Sequence, residues 1–505
     1  MPPALSTRPA RLALTGITGS LALLAAVGVL GSSWAVPYLR TAAPWPPYFL
    51  AVHPSPAMVS CLAWLAVLLG AVGLVAGLIA VRGGWRPWRL LIGGSVVAAV
   101  LFLLLPPIGS TDMLDYASYG RIAALGHDPY QMTPEQLRRT GDLIGKVAPR
   151  AWEHVPSVYG PLATASELAA SKLAGTSAAR TVFWLKFWNA LAFLAVVLAL
   201  DRVCRSDPAR RARAHLLWSA NPLMLLAVLA GGHVDGLGAA FGVLSLLAFR
   251  KPGFRTALLA GALAGLATAI KAPFALFGLG LAISAIRSPR ALTGLAAGGA
   301  AIVLPSYLLA GHRAVQSVAR TAARAATSYE PWGVVYRADH WFRHDGRLDL
   351  LALGVTIVLA VVLLRCLPEG PPGLAAIRPT LAVTLAWLVC SPQQRPWFDA
   401  MIFPLLALMP ATALDWVVVA RAAIGAAAEL PGVAMGVHRP PWLKQAMHVQ
   451  VGYEAPAALT VVALVLVWLC LTGRLRASPP DDPDQPGQGP GSAARRRSSV
   501  QSSPT

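Results

Sequence analysis

The sequence has few charged residues, and acidic residues are the scarcer kind. Charged residues make up 13% of the 505 positions and hydrophobic residues make up 56%. A soluble domain carries roughly 25% charged residues. Because apolar runs long enough to cross a bilayer recur along most of the chain, no soluble catalytic domain is left over. The first apolar run is followed by many others, so we interpret it as a span and not as a cleavable signal peptide.

The predicted fold is an all-α, polytopic transmembrane bundle with about 13–14 spans. The apolar runs lie near residues 11–35, 57–81, 88–108, 182–200, 214–230, 236–249, 255–271, 273–286, 291–310, 350–366, 378–390, 397–411, 412–431 and 454–472. We assign residues 1–474 to this membrane domain. The segment 475–505 is rich in Pro, Gly and Ser and is predicted to be a disordered tail.

Several enzyme signatures are also missing. The five cysteines lie in or beside apolar runs without metal-ligand spacing, which predicts buried free thiols. The sequence has no P-loop, no H-E-x-x-H zinc motif, no nucleophile-elbow serine and no internal repeat of fixed period. We therefore expect no metal site and no cofactor, while a dependence on divalent ions stays open.

The positive charge that is present predicts the orientation in the membrane. The net charge of +20 points to anionic lipid on one face of the membrane and not to nucleic acid. The preference for Arg over Lys and the abundance of Ala suggest a GC-rich bacterial genome. Short basic loops recur at 82–89, 202–213, 250–255 and 287–290. The positive-inside rule puts them in the cytoplasm, together with both termini. We predict a multi-pass protein of the plasma membrane with a long external loop at about 109–181.

Other polar segments fall on the same external face. The moderately apolar stretch 159–175 is expected to lie at the interface within the long loop, because spanning would put the basic loop 202–213 outside. The segments 231–236, 312–349 and 391–399 are also external in this scheme, and each combines polar or charged residues with aromatic ones or glycines. The chemistry is therefore predicted to converge on the outer face.

Asp112 and Asp115 are the catalytic candidates. They follow the apolar run 101–108 and stand three residues apart, so they would share one face of a helix. A carboxylate at the membrane boundary could act as a general base, with its pKa raised by partial burial. Alternatively, Ser110, Thr111 or Asp112 could cap a helix, and Asp115 could bind or orient a substrate.

Further polar and aromatic side chains could bind a sugar. Aromatic rings stack on pyranose faces and carboxylates accept hydrogen bonds from hydroxyl groups; the alternative is an interfacial aromatic belt with an Asp-Pro turn. The candidates in the first loop are Tyr116, Tyr119, Arg121, His127, Asp128 and Tyr130.

Candidate binding residues also occur later in the chain. His233 and Asp235 stand between glycines, which suits either ligand contact by close backbone approach or a plain polar turn. Lys271 could snorkel to the headgroups or bind a lipid phosphate. Arg395 stands beside Trp397, and its planar guanidinium suits a phosphate group.

An ordered series of short motifs between about residues 100 and 400 resembles one known family. These motifs are Ser110-Thr111-Asp112 with Tyr116 and Tyr119-Gly120, Gly126-His127-Asp128-Pro129-Tyr130, Tyr159-Gly160-Pro161-Leu162, Asn221-Pro222-Leu223, Gly232-His233-Val234-Asp235, Lys271-Ala272 and Gln394-Arg395-Pro396-Trp397-Phe398. The chain resembles the actinobacterial polyprenol-phosphomannose-dependent α-1,6-mannosyltransferases, which are C-type multispanning glycosyltransferases.

The resemblance implies a mannosyltransferase that extends the mannan core of lipomannan-like lipoglycans. Its donor would be a lipid-linked mannose and its acceptor a lipoglycan, both outside the membrane. Asp112 matches the family's acidic position in the first large external loop, whereas Asp115 and the Gly-His-Val-Asp motif depart from the expected pattern. Tyr159 would join the substrate-binding residues.

Two alternatives stay open at this point. A polytopic flippase or transporter of lipid-linked sugars would also have many spans, although such proteins often show repeated halves and charges deep within their spans. Among glycosyltransferases, another donor sugar, such as arabinofuranose or glucose, or a protein acceptor would fit as well.

Overall fold

The structure is a computed structural model that describes residues 7–39, 45–322, 330–338, 347–392, 394–430 and 440–475. Within these ranges the regular structure is helical, apart from one isolated bridge between Ser33 and Val36. Parts of the predicted external segment 312–349 and the predicted tail from residue 476 onward lie outside the described residues.

The helices of the described chain are named in order. The first ten are α1 Arg8–Leu30, α2 Pro56–Arg82, α3 Trp88–Leu104, α4 Asp112–Ala124, α5 Pro134–Arg139, α6 Pro161–Ala174, α7 Ala178–Cys204, α8 Pro208–Leu217, α9 Pro222–Met224 and α10 Asp235–Ala248. The others are α11 Phe254–Ile270, α12 Ala275–Ser284, α13 Pro289–Ala310, α14 His312–Ala322, α15 Pro331–Ala338, α16 Arg347–Cys366, α17 Ile377–Cys390, α18 Phe403–Leu408, α19 Leu414–Glu429, α20 Pro441–Val449 and α21 Ala455–Leu471. Two π-helical segments, Leu225–Ala230 and Gln450–Glu454, interrupt this series.

The apolar helices match the predicted spans except 412–431, whose helix α19 is not among them. Among the described residues, seven helical stretches are long and apolar enough to cross a membrane: Arg8–Leu30, Pro56–Arg82, Ala178–Cys204, Pro208–Ala230, Pro289–Ala310, Leu348–Cys366 and Pro441–Leu471. Six shorter apolar helices are Trp88–Leu104, Asp235–Ala248, Phe254–Ile270, Ala272–Ser284, Ile377–Cys390 and Pro396–Leu408. The prediction of an all-α, polytopic membrane bundle is therefore confirmed.

Small residues let neighbouring helices approach closely. A Cβ atom added to Gly16 of α1 would lie 2.7 Å from the Cα atom of Gly73 in α2. In α4, a Cβ atom at Gly120 would lie 2.2 Å from the backbone oxygen of Glu167 in α6. Within lipid the hydrophobic effect does not bring helices together, so close packing of this kind holds them against each other. The second contact holds α4, the helix that carries Asp112, directly against α6.

The four basic loops gather at one end of the bundle. Arg82, the last residue of α2, and Arg213 in α8 both approach Asp415 at the start of α19, with the Nε atom of Arg213 2.9 Å from its carboxylate. The helices α10 to α13 run back and forth, so the loops 250–255 and 287–290 lie at the end opposite Asp235 and Lys271. The polar candidates therefore occupy the other end.

The cysteines agree with the prediction in their bonding state and mostly in their burial. All five are free. Cys204, Cys390 and Cys470 are buried and Cys366 is half-buried, but Cys61 is exposed on α2. The expectation of burial was wrong for Cys61, because α2 directs that position away from the helices it packs against.

Candidate active site

Asp112 is the first residue of α4, at the end of the bundle away from the basic loops. The backbone before it is ordered by hydrogen bonds from the amide of Ile108 to the carbonyl of Ala230 and from the amide of Gly109 to the carbonyl of Ala35. Ser110 Oγ accepts a hydrogen bond from the amide of Asp112 at 3.2 Å. The Asp112 side chain is 19% exposed, so a substrate can reach its carboxylate.

Asp115 has a very different environment one helical turn away. It is 3% exposed, and neither of its carboxylate oxygens has a hydrogen-bond partner among the described residues. Burial, together with the nearby charges of Asp112 and Glu167, raises the pKa of Asp115 well above its usual value. The two aspartates therefore lie on adjacent turns of one helix but do not act as an equivalent pair.

The expected direction of the pKa shift of Asp112 was wrong. Burial opposes its charged form, but contact with His233 and the charges of His233, Arg395 and Lys271 outweigh burial and lower the pKa below its usual value. The carboxylate is thus ionised at neutral pH and stabilised by cationic groups. It can accept a hydrogen bond from a substrate hydroxyl group.

A glycine turn brings His233 to Asp112. Nδ1 of His233 lies 3.4 Å from a carboxylate oxygen of Asp112, an ion-pair distance that is longer than a well-formed hydrogen bond. Gly232 has φ +77, a backbone angle that favours glycine, and an added Cβ atom would lie 2.3 Å from the Met113 side chain, which would have to move. Asn189 fixes the turn by donating to the carbonyl of Gly232 at 2.8 Å.

Lys271 forms the first of two ion pairs beside Asp112. Its Nζ atom lies 3.0 Å from both carboxylate oxygens of Asp235, which is buried at the start of α10. The same ammonium group lies 4.1 Å from the ring centroid of Phe398. Lys271 is 13% exposed, so it remains accessible to a ligand while Asp235 holds it in position.

Arg395 forms the second ion pair. One guanidinium nitrogen lies 3.0 and 3.1 Å from the two carboxylate oxygens of Glu429, at the end of α19. Arg395 also lies over the ring of Trp397, and that ring stacks on His233 with 3.5 Å between centroids. Stacking therefore links Arg395 through Trp397 to the histidine that touches Asp112.

Two tyrosines border the same site. Tyr159 Oη donates a hydrogen bond to Tyr116 Oη at 3.2 Å, and the two rings pack edge to face. The amide of Gly160 donates to the carbonyl of Ile270 at 2.9 Å, which brings Tyr159 next to Lys271. The ammonium group of Lys271 lies 5.8 Å from the Tyr159 ring centroid.

Four predicted binding residues instead stabilise the first loop, and a fifth, His127, lies outside the site. Tyr119 donates to the carbonyl of Val155, Arg121 pairs with Asp142 at 2.7 Å, and the Asp128 carboxylate accepts from the amide of Tyr130. Tyr130 Oη also contacts Tyr159 O and Thr164 Oγ1, and His127 is exposed without a contact to Asp112.

The structure brings together Asp112, Tyr116, Tyr159, His233, Asp235, Lys271, Arg395 and Trp397.

Sequence reasoning missed three residues of this region. Glu429 pairs with Arg395 and Phe398 contacts Lys271. The signal for Glu429 was a carboxylate at the end of the apolar run 412–431. Glu167 lies buried near Asp115 with both carboxylate oxygens unpartnered among the described residues, and burial raises its pKa well above the usual value. Nothing in the pattern of α6 distinguishes it from a solvated glutamate.

A small cavity lies behind the site. It has a volume of about 30 Å³ and is lined by Ser110, His233, Trp397, Glu429 and Leu430, with apolar residues completing its wall. It has room for water but not for a sugar. Within the described part of the chain, no three His, Cys, Asp or Glu side chains form a group that could hold a metal ion. The absence of a cofactor stays a prediction.

The comparison with protein families matches the region that contains most of this site. The model described as "Alpha-(1->6)-mannopyranosyltransferase, N-terminal domain" matches residues 13–288, more than half of the chain. This range includes Asp112, Tyr159, His233 and Lys271, whereas Arg395 lies beyond it.

Two curated relatives are similar over a shorter stretch. A probable alpha-(1->6)-mannopyranosyltransferase of Mycolicibacterium smegmatis is 28% identical over 138 residues, which are 27% of this chain and 25% of the relative. An alpha-(1->6)-mannopyranosyltransferase of Mycobacterium tuberculosis is 27% identical over 135 residues, which are 27% of this chain and 23% of the relative. The matched region thus spans about a quarter of each relative. The family match decides the assignment: this polytopic helical membrane protein belongs to the alpha-(1->6)-mannopyranosyltransferase family.

Proposed function

We propose that the protein transfers mannose from a polyprenyl-phosphate-linked donor to a lipid-anchored mannan acceptor, forming an α-(1→6) linkage on the outer face of the membrane. The observation that carries this proposal is the accessible, ionised carboxylate of Asp112 with Lys271 and Arg395 beside it. Family membership supports the sugar and the linkage.

The arrangement of charge along the bundle supports an external reaction and a lipid-linked donor. The basic loops and the site lie at opposite ends, so the positive-inside rule favours an external site. Nucleotide sugars are kept inside cells. A sugar donor used outside therefore needs another activating group, and a phosphate on a membrane lipid supplies one.

The two cations are suited to the donor phosphate. Lys271 and Arg395 both act on Asp112 through their charge, so the two groups lie near the same carboxylate. Each also carries its own counter-ion, Asp235 or Glu429. These carboxylates orient the cations before the donor arrives, and an oriented cation stabilises charge that develops on a leaving group.

The reaction we propose is a single displacement with inversion. Asp112 accepts the proton of the acceptor hydroxyl group, and the hydroxyl oxygen forms a bond to the anomeric carbon of mannose. The bond from that carbon to the phosphate oxygen breaks, and the phosphate leaves with the electron pair beside Lys271 and Arg395. From a β-linked donor this step gives an α-linked product.

The cavity behind His233 is too small for mannose, so the sugar must approach the exposed side of Asp112.

The direct test supplies membranes with labelled polyprenyl-phosphate-mannose and follows label into a lipoglycan acceptor. We expect label in the acceptor, with an α-(1→6) linkage and inverted anomeric configuration. Transport of the donor across the membrane without transfer would instead identify a flippase. Membranes without the protein provide the control.

Asp112→Asn tests the proposed base. The substitution keeps the size and most hydrogen bonding but cannot accept a proton, so transfer should fall by at least about 10²-fold. Asp115→Asn should cost less, because Asp115 is buried and burial raises its pKa, which makes it a poor candidate for an ionised base. Asn caps a helix about as well as Asp, so parental turnover in Asp112→Asn at matched protein content would exclude Asp112 as the base.

A further inference from the structure

Two buried polar side chains lie on one face of the long helix α7. Lys186 is 2% exposed and Asn189 is 1% exposed, and they stand three residues apart, which puts them on the same side of the helix. The stretch Ala178–Cys204 is also one of the helices long and apolar enough to cross a membrane. Polar groups inside a span are costly, and those that are present commonly serve function. Packing alone therefore does not account for these two side chains.

Lys186 binds the end of α3. Its Nζ atom donates a hydrogen bond to the carbonyl of Leu105, directly after α3, at 2.8 Å. The last carbonyls of a helix have no partner within it, and a cation at that end is favourable. A short segment leads from Leu105 to Asp112 at the start of α4. Lys186 thus fixes the point at which the segment that carries Asp112 begins.

Asn189 binds the turn that carries His233. Its Nδ2 atom donates a hydrogen bond to the carbonyl of Gly232 at 2.8 Å, between the π-helical segment Leu225–Ala230 and α10. The next residue, His233, lies 3.4 Å from the carboxylate of Asp112. Each member of the contact between Asp112 and His233 therefore belongs to a segment that α7 holds by a buried hydrogen bond.

A third hydrogen bond joins the two segments directly. The amide of Ile108 donates to the carbonyl of Ala230 at 3.0 Å. Ile108 follows Leu105 closely along the chain, and Ala230 closely precedes Gly232. The three bonds therefore close a ring through α7 and both segments. Movement of one segment relative to the other would break at least one bond of this ring.

The contact that the ring maintains affects the charge state of Asp112. Burial raises the pKa of Asp112, and contact with His233 is the strongest of the effects that lower it. The other titratable groups that act on Asp112 or feel its charge are Lys271, Arg395, Asp115, Tyr116, Tyr119 and Tyr159. Loss of the His233 contact would raise the pKa of Asp112 and leave less ionised carboxylate at low pH.

We propose that Lys186 and Asn189 are positioning residues that hold Asp112 and His233 in contact. The proposal rests on the proposed glycosyl transfer with Asp112 as the base, and it extends that function to the residues that set the geometry of the base. Both side chains are buried beneath the segments they bind. They act on the reaction through two backbone carbonyls and not by touching the substrate.

The first test is a double-mutant cycle between Asn189 and His233 in the full-length protein in nanodiscs. Asn189→Leu removes the amide at similar size and should lower kcat/KM for transfer about tenfold, because a small misplacement of a catalytic group slows the reaction. In a His233→Ala background, Asn189→Leu should cost less than about twofold, since its effect passes through His233. The midpoint of the acid limb of kcat/KM should also rise by about one pH unit in Asn189→Leu.

Thr181→Val is the matched control for Asn189→Leu. Thr181 is a buried residue of α7 whose hydroxyl group donates within its own helix, to the carbonyl of Ser177. Its loss should leave both kcat/KM and the acid limb unchanged.

Lys186 is tested in the same way against Asp112. Lys186→Met keeps most of the side-chain length but cannot donate a hydrogen bond, so it should lower kcat/KM about tenfold. In an Asp112→Asn background, Lys186→Met should add less than about twofold to the loss. Lys186→Arg keeps a donor and should retain more activity than Lys186→Met. Effects that multiply in either cycle would make that α7 residue a helix cap only and overturn its positioning role.

A measurement without turnover separates this proposal from the proposed function. The nitrogen NMR signals of the His233 imidazole, assigned by their loss in His233→Gln, should move in Asp112→Asn. They should move in the same direction in Asn189→Leu and Lys186→Met, and stay in place in Thr181→Val. This pattern in a protein that transfers no mannose would overturn the proposed function and keep the positioning of the pair. Transfer by the parental protein, with signals unchanged in both α7 variants, would overturn the positioning.

Discussion

The charged residues of the site occur as pairs of opposite sign. Lys271 with Asp235 and Arg395 with Glu429 each join a cation to a carboxylate, and Asp112 lies near both cations. An unpaired charge of this burial would be costly. Removing the carboxylate of a pair leaves the cation without orientation. Removing the cation leaves the carboxylate without a counter-ion.

Arg395→Ala should lower transfer by about 10²-fold if the guanidinium stabilises the leaving phosphate. Arg395→Lys keeps the charge but loses the planar fork, so the loss should be smaller. The measurement is kcat and donor KM at matched protein abundance.

The same substitution leaves the Glu429 carboxylate without its partner, so Arg395→Ala with Glu429→Gln is the control. A double variant as slow as Arg395→Ala assigns the loss to the missing cation. Recovery of the parental rate in the double variant would mean that the orphaned carboxylate caused it.

Glu330 provides a test of pH dependence. It is 2% exposed, and burial raises its pKa to about 8 despite the nearby charge of Arg421. The folded protein therefore binds a proton at Glu330 that the unfolded chain, in which the pKa of a glutamate is 4.5, releases. The stabilisation from this proton is complete below about pH 4.5 and is lost as the pH rises through about 8.

Glu330→Gln replaces the titrating group with a neutral amide, so the variant should gain thermal stability over the parental protein as the pH rises from 5 to 8. Melting of the purified protein at the two pH values measures the difference. Glu369→Gln serves as the control, since the Glu369 carboxyl group is 83% exposed. A stability difference between Glu330→Gln and the parental protein that does not change with pH would contradict the raised pKa of Glu330.

At the scale of secondary-structure elements, α19 connects the two ends of the bundle through ion pairs. It carries Asp415 near its start, Arg421 in its middle and Glu429 at its end. These pair with Arg213, Asp399 and Arg395 respectively, so charges in this largely apolar helix have partners of opposite sign. Polar groups at membrane depth face the bundle interior for this reason.

The contact between α1 and α2 depends on two glycines. Gly16→Ala should destabilise the protein by about 1–3 kcal/mol, because its Cβ atom would lie 2.7 Å from backbone of Gly73. Gly94→Ala in α3 is the matched control, since nothing lies within 4 Å of the added atom. Thermal unfolding in detergent should show a lower Tm for Gly16→Ala only. Equal melting of the two variants would refute close packing at this crossing.

At the scale of the whole molecule, the orientation can be tested by cysteine labelling in a background without the five native thiols. His127 and Ser206 are both exposed, near the site and in a basic loop respectively. His127→Cys should react with an impermeant reagent added outside intact cells, and Ser206→Cys should react only after permeabilisation. Ser110 and Gln394 are buried and would be poor reporters. The reverse labelling pattern would put the proposed chemistry in the cytoplasm.

The sequence by itself determined the all-helical membrane fold, the positions of the apolar helices and the grouping of basic loops. These features depend on hydrophobicity and charge over short stretches, so they can be read locally. It also indicated Asp112, His233, Lys271 and Arg395 as members of a polar site.

Only the tertiary structure decided which of these side chains meet. Asp235 and Lys271, or Arg395 and Glu429, are far apart in the chain, and helix packing sets the distances between them. The structure also separated Asp112 from Asp115, which local spacing makes similar, because the first opens toward solvent and the second packs near Glu167. The direction of the Asp112 pKa shift depended on the same packing, since the groups that lower it, His233, Lys271 and Arg395, come from three distant segments.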